Sequence, residues 1–159
     1  MTFWLFLILA IIIVHYIFDV VVSVLNLRAL SARLPEEFED VFDNEKYRQS
    51  QRYTKTTTRF TLVKNSVSTL ITLLFLILGG FNSVDQFARS FQLSNIGTGL
   101  IFTITLLFLS FISGLPFSIY STFKIEARFG FNRTTVKTFI ADIFKGLLLS
   151  VVIGGPILA

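Results

Sequence analysis

The stretch LPFSIYSTFKIEARFGFNRTTVKTFIADIFK, Leu115–Lys145, decides how this chain folds. It lies between two long apolar runs and packs Pro, Gly, Asn, Glu, Asp and Lys into a single connection. Pro116 follows Gly114, a pair expected to kink or end a helix there. A helical pattern resumes at Phe117, with Ile119, Tyr120, Phe123 and Ala127 on one stripe and Lys124 and Arg128 on another. Gly130 suits the left-handed position after a helix end. Asn132 is then placed to cap the next helix, with Thr134 and Thr135 in its first turn. The expected order is helix, kink, short amphipathic helix, tight turn, helix.

Working outward, the composition is that of a membrane protein. Apolar residues make up 53% of the chain, and 19 of its 159 residues are Phe. The mean hydropathy of +0.72 is too high for a soluble domain of this size. Four runs are long enough to cross a hydrocarbon core of about 30 Å at about 1.5 Å per residue. They cover approximately 3–25, 62–81, 96–115 and 139–158. The first has no basic flank and no small-residue cleavage pattern after it, so it reads as a membrane helix that is kept. A fold of two spans plus buried soluble helices is the competing arrangement, and the length of all four runs argues against it. The chain has no Cys, so disulfides and thiolate metal ligands are excluded. Its net charge of +4 implies no nucleic-acid partner, because the cations follow the membrane topology.

Orientation is read from Lys and Arg in the connections, since loops on the cytoplasmic side are enriched in them. The first loop holds eight (Arg28, Arg33, Lys46, Arg48, Arg52, Lys55, Arg59 and Lys64) and the third holds four (Lys124, Arg128, Arg133 and Lys137). The second holds only Arg89. Loops one and three are therefore expected in the cytoplasm, with both ends of the chain on the opposite side. The first loop reads as helical. Pro35, followed by Glu36, Glu37 and Glu39, suits a helix start, with Phe38, Val41 and Phe42 on one face. A second polar helix, about 44–59, is expected to run straight into the second span. Its Tyr47, Tyr53, Arg48, Arg52 and Arg59 fit a segment lying at the headgroups; a solvated charged loop is the plainer alternative.

Several polar residues fall inside or beside the apolar runs. His15 and Asp19 are four apart on the first span, and Asp142 and Lys145 are three apart on the fourth, so each pair shares a helix face. Such groups must face protein or water rather than lipid. Asp19 and Lys145 lie at similar depth, about 9 Å inside the same membrane face. Two arrangements follow: Asp19 meets Lys145 across helices or shares a hydrated cavity with it, or each pairs within its own helix. His15 with Asp19 is half a metal site at most, because a catalytic zinc needs about three protein ligands and no second histidine exists. Glu126, the one acid of the third loop, is expected either in a surface pair with Arg128, Arg133 or a first-loop Arg, or in a buried charge-assisted bond.

The pattern Pro116, Tyr120, Thr122, Phe123, Glu126, Gly130, Phe131, Asn132, Thr135, Phe139, Asp142 and Lys145 resembles the amino-terminal membrane region of the type I CAAX prenyl endopeptidases. Pro35, Lys46, Tyr47 and Tyr53 match that family's first loop more loosely. The resemblance implies a membrane zinc metalloprotease, acting on prenylated carboxyl-terminal peptides, whose helices enclose a water-filled chamber. Its zinc is held by the two histidines of an HExxH helix and a downstream glutamate, with the motif's own Glu as general base. No HExxH occurs in these 159 residues, so no catalytic or metal-binding position transfers onto them. Zinc is expected only in a full-length parent enzyme.

The expectation is an all-α membrane protein of four transmembrane helices, with a helical cytoplasmic first loop and a kinked helix-turn third loop. It forms one domain over 1–159, and its partners are the lipid bilayer and a carboxyl-terminal protease domain. The short, simple amino terminus points to a bacterial inner membrane. Two other functions stay open: a stand-alone four-helix scaffold or regulator, and a small transporter subunit. The transporter reading lacks an internal repeat and a span broken near the midplane.

Overall fold

The computed structural model describes residues 3–30 and 43–158, and those residues are helical with short connections. In chain order the helices are α1 (Phe3–Ala29), α2 (Asn44–Ile77), α3 (Gly80–Arg89), α4 (Asn95–Tyr120) and α5 (Val136–Leu158). A widened π-helical segment, Ser121–Glu126, follows α4 without a break. The first-loop helix expected around Pro35 lies outside the described residues.

Three helices are long and apolar enough to cross a membrane: α1, α2, and α4 together with the π segment. At 23 residues, α5 is also long enough, at about 34 Å. The expected continuity of the 44–59 helix with the second span is observed, and α2 is a single helix of 34 residues. At about 50 Å it exceeds the hydrocarbon core, so its polar first half must project from the apolar layer. Asp43 caps it, its carboxylate accepting from the Glu45 N–H at 2.8 Å.

The second span ends four residues earlier than its apolar run. Leu78 closes α2 on the Leu74 carbonyl, and Gly79 turns the chain with φ +73°. That left-handed conformation favours glycine. Gly80 presses on the Phe75 ring, which leaves no room for a side chain. The chain then doubles into α3, an element the sequence reading did not anticipate. Five of its ten residues are polar, and only Val84 and Ala88, four apart, are buried. This helix leans on α4, with Phe81 packed edge-on to Phe75 at 5.1 Å and stacked toward Phe102 at 6.5 Å. At the surface Arg89 donates to Asp85 at 2.8 Å, and this hydrogen bond and its charge raise the guanidinium pKa.

Pro116 does not end its helix. The chain continues helically through it to Tyr120, and the irregularity comes later, in the π segment. Proline removes one backbone donor, and membrane helices tolerate this where neighbouring groups satisfy the freed carbonyl.

Packing among these helices is sparse. Among the described residues α1 rests on α2, and α5 on α4 and, through Phe139, on Phe123 of the π segment, while α2 also meets α3, α4 and the π segment. Tyr16 and Ser66 join their hydroxyls at 2.7 Å across α1 and α2. The Ser66 hydroxyl is also 2.7 Å from the Leu62 carbonyl, so its proton goes there and Tyr16 donates to Ser66. Among the described residues only Leu9, Val84, Ala88 and Ile125 are buried. Large apolar side chains such as Trp4 and Phe144 stay about two-thirds exposed, at 69% and 68%. Lipid, rather than water, is the solvent such faces require.

Candidate functional site

The best-organised part of the molecule lies where the polar half of α2 meets the turn after the π segment. Gly130 has φ +78°, as its position after a helix end predicts. Its N–H donates to the Ala127 carbonyl at 3.2 Å, and the Phe131 N–H donates to the Glu126 carbonyl at 2.9 Å. These two bonds form a Schellman closure, which satisfies the last carbonyls of the helix. Glu126 therefore acts through its backbone. No ion pair joins its carboxylate to Arg128, Arg133 or another described residue. Arg33, the other candidate partner, lies outside the described residues.

The next helix is capped one turn later than expected. Asn132 accepts from the Thr134 N–H at 2.6 Å, an Asx turn rather than a helix cap. The cap is Thr135: its carbonyl accepts the Phe139 N–H at 2.9 Å and its hydroxyl the Thr138 N–H at 3.2 Å. Asn132 bonds to its nearest available donor, and that delays the helix start to Val136.

Aromatic rings fasten this turn to its neighbours. Tyr53 of α2 sits edge-on to Phe129 at 5.3 Å and to Phe131 at 4.8 Å. The Gln49 side chain donates to the Phe129 carbonyl at 3.4 Å. Two turns along, Phe60 stacks on Tyr120 at 5.2 Å and leans on Phe117 at 6.1 Å. Phe123 meets Phe139 of α5 at 5.3 Å, and Ile125, two residues after Phe123, is only 4% exposed. The structure thus gathers Tyr120, Phe123, Glu126, Gly130, Phe131, Asn132 and Thr135 around one turn. Thr122 is half-buried in the π segment and Pro116 lies inside α4, upstream of the turn.

The intramembrane charges do not meet across helices. His15 Nε2 lies 3.6 Å from Asp19 Oδ2 within α1, and Lys145 Nζ lies 3.7 Å from Asp142 Oδ1 within α5. The Asp19–Lys145 pairing is absent because α1 and α5 pack on different partners. All four side chains are open, His15 at 75% and Lys145 at 73%. No three His, Cys, Asp or Glu side chains converge among the described residues, so these residues do not fit a zinc ion.

One feature escaped the sequence reading. Lys64, counted there with the loop cations, begins a polar stripe with Ser68 and Thr72, spaced four apart on α2. It faces Ser110 and Ser113 of α4 across a groove of about 790 Å³, closed on one side by Ile8 and Ile12 of α1. The four-residue recurrence inside an apolar run was the available signal.

Long lipid-facing helices, a mainly apolar groove between them that carries one polar stripe, and no metal-ligand cluster among the described residues define a non-globular helical membrane domain. Comparison with known proteins says which. Residues 23–159 match the family described as CAAX prenyl protease N-terminal, five membrane helices. A CAAX prenyl protease 1 homologue of Oryza sativa is 34% identical over 160 residues, covering 96% of this chain and 38% of that protein. CAAX prenyl protease 1 of Saccharomyces cerevisiae is 32% identical over 136 residues, covering 79% of this chain and 30% of that protein. The crystal structure of S. mikatae Ste24p superposes with a TM-score of 0.90 at 31% identity, over 99% of this chain and 38% of that one. The chain therefore belongs to the CAAX prenyl protease N-terminal family, and it is an integral-membrane protein. It spans between 30% and 38% of the length of these three relatives. Those relatives come from a plant and from yeasts, so a bacterial inner membrane draws no support from them.

Proposed function

We propose that this chain is the non-catalytic amino-terminal membrane domain, a single unit over 1–159, of a CAAX prenyl protease-like zinc metalloendopeptidase, and that it forms part of the membrane chamber around the active site. The observation that carries this reading is the superposition on S. mikatae Ste24p, near-complete for this chain but covering only 38% of the neighbour. Two features support it. The Lys64–Ser68–Thr72 stripe supplies a hydratable wall between apolar helices. His15, Asp19, Asp142 and Lys145 are open groups on membrane helices, and such groups require protein or water beside them. Zinc, its ligands and the cleavage of prenylated peptides belong to the carboxyl-terminal protease domain in this proposal. The signature residues from Pro116 to Lys145 hold the turn and the adjoining helices in place.

Four helices, α1, α2, α4 and α5, cross the bilayer in this reading. Helix α3, about 15 Å long, lies at one face, being too short to span a core of about 30 Å. The family description counts five membrane helices, one more than this. Loops one and three are cytoplasmic and both termini lie opposite. The contact of Tyr53 with Phe129 and Phe131 supports a shared side for the two loops.

The test is complementation. The purified chain, alone and co-expressed with a relative's HExxH-bearing portion, is assayed for bound zinc and for cleavage of a prenylated peptide. Zinc and cleavage are expected only in the pair. Stoichiometric zinc or cleavage by the chain alone overturns the proposal, and failure to associate with the protease portion favours the scaffold instead.

A further inference from the structure

A basic cleft of about 560 Å³ opens beside the Tyr53 contact, between the polar half of α2 and the turn. Arg52, Lys55 and Arg59 line one wall; spaced three and four apart, they share a helix face. Arg128 lines the other, its guanidinium 6.0 Å from the centre of the Phe129 ring. Glu45 is the one acid among the lining residues. Ion pairs between described residues use none of these four cations. Two elements far apart in sequence thus hold four like charges at one opening, an arrangement an anion stabilises.

We propose that this cleft binds the phosphomonoester of an anionic lipid headgroup. Depth selects a lipid. Arg59 stands three residues before Leu62, where the apolar run of α2 begins, and Arg52 stands ten before it. At about 1.5 Å per residue these are about 5 and 15 Å outside the hydrocarbon, so Arg59 stands within a headgroup layer about 5–8 Å thick and Arg52 above it, within reach of a headgroup that projects from the layer. Exposed Phe131 and the Tyr53 ring beside the cleft suit the same layer. Charge selects a phosphomonoester. It carries about −1.5 to −2, against four cations and one carboxylate, whereas a phosphodiester carries one negative charge. Three guanidinium forks can grip its oxygens pairwise.

The experiment titrates the whole chain in detergent with phosphatidic acid, phosphatidylinositol 4-phosphate, phosphatidylserine or phosphatidylcholine, and reads bound lipid by native mass spectrometry. Preferential retention of the two phosphomonoester lipids is expected. Arg52→Gln with Arg59→Gln should weaken it roughly thirtyfold, taking the usual contribution of a cation near an anionic membrane surface for each. Arg52→Lys with Arg59→Lys, which keeps the charge and removes the forks, should fall between this and wild type, and it serves if the Gln pair misfolds. Lys137→Gln, outside the cleft, should change nothing.

Three results overturn the proposal. Displacement of the lipid by millimolar inorganic phosphate would mark a soluble-phosphate site. An equal loss from Lys137→Gln would mean diffuse attraction. Retention no better than for phosphatidylcholine would mean that the cleft is not a headgroup site, as when the acidic stretch 36–40 fills it. The outcome does not depend on the protease assignment.

Discussion

The seam between α2 and the post-π turn and the outer faces of α1 and α5 are built on opposite terms. At the seam, Tyr53, Phe60, Phe123 and Ile125 interlock with rings and backbone from elements far along the chain. On the outer faces, Trp4, Phe6 and Phe144 stay largely exposed. In water such faces would drive association, but in a bilayer they cost nothing, because lipid tails are as apolar as Leu. The specific geometry of this domain therefore resides in its aromatic seam, and its outer apolar faces are held by their solvent.

The sharpest test of that contrast is Tyr53→Ala. It removes two edge-to-face pairs and should destabilise the detergent-solubilised chain by about 1–3 kcal/mol. Trp4→Ala should leave the thermal unfolding midpoint unmoved; equal losses would erase the distinction between the two regions. Gly130→Ala forces a side chain into a left-handed backbone and should cost about 1–2 kcal/mol by the same unfolding measurement. The capping assignment is finer. Thr135→Ala should lower stability by about 1 kcal/mol and Asn132→Ala by less, and the reverse order would restore Asn132 as the cap. Smallest is Tyr16→Phe, which removes the α1–α2 hydrogen bond. Bonds of this kind within membranes average about 0.6 kcal/mol, so a loss of several kcal/mol would show α1 to be clamped rather than resting on α2.

Much of the architecture was legible residue by residue. The apolar runs placed the long helices, the continuity of 44–59 with the second span held, and Gly130 proved left-handed. Where the reading failed, a local rule met a competing one. Gly79 and Gly80 ended the second span inside its apolar run, because the turn and the Phe75 ring outweighed hydropathy. Helix α3 was missed although Phe81, Val84, Phe87 and Ala88 recur at helical spacing, because its stretch was read only as a connection between two apolar runs. Of the kink or end expected at Pro116, the end is not observed, since the helix continues through it into a π segment. Asn132 looked like a cap until the nearer Thr134 N–H captured its side chain. Of the two arrangements offered for Asp19 and Lys145, the contacts within each helix are observed and the cross-helix pair is not, because equal depth carries no information about which helices adjoin.

Helix lengths, their lipid-facing character and the site of the tight turn follow from chemistry that each segment carries with it. Apolar length, a missing Cβ and a missing N–H act without knowledge of the rest of the chain. Gln49 and Phe129 are 80 residues apart, and nothing in either segment names the other. Their meeting, the stack of Phe60 on Tyr120 and the gathering of Arg52, Lys55 and Arg59 with Arg128 required the helices to be packed. The physical reason is that side-chain contacts between distant segments depend on rotation and relative height of whole helices, and these are settled only when the α2 seam closes.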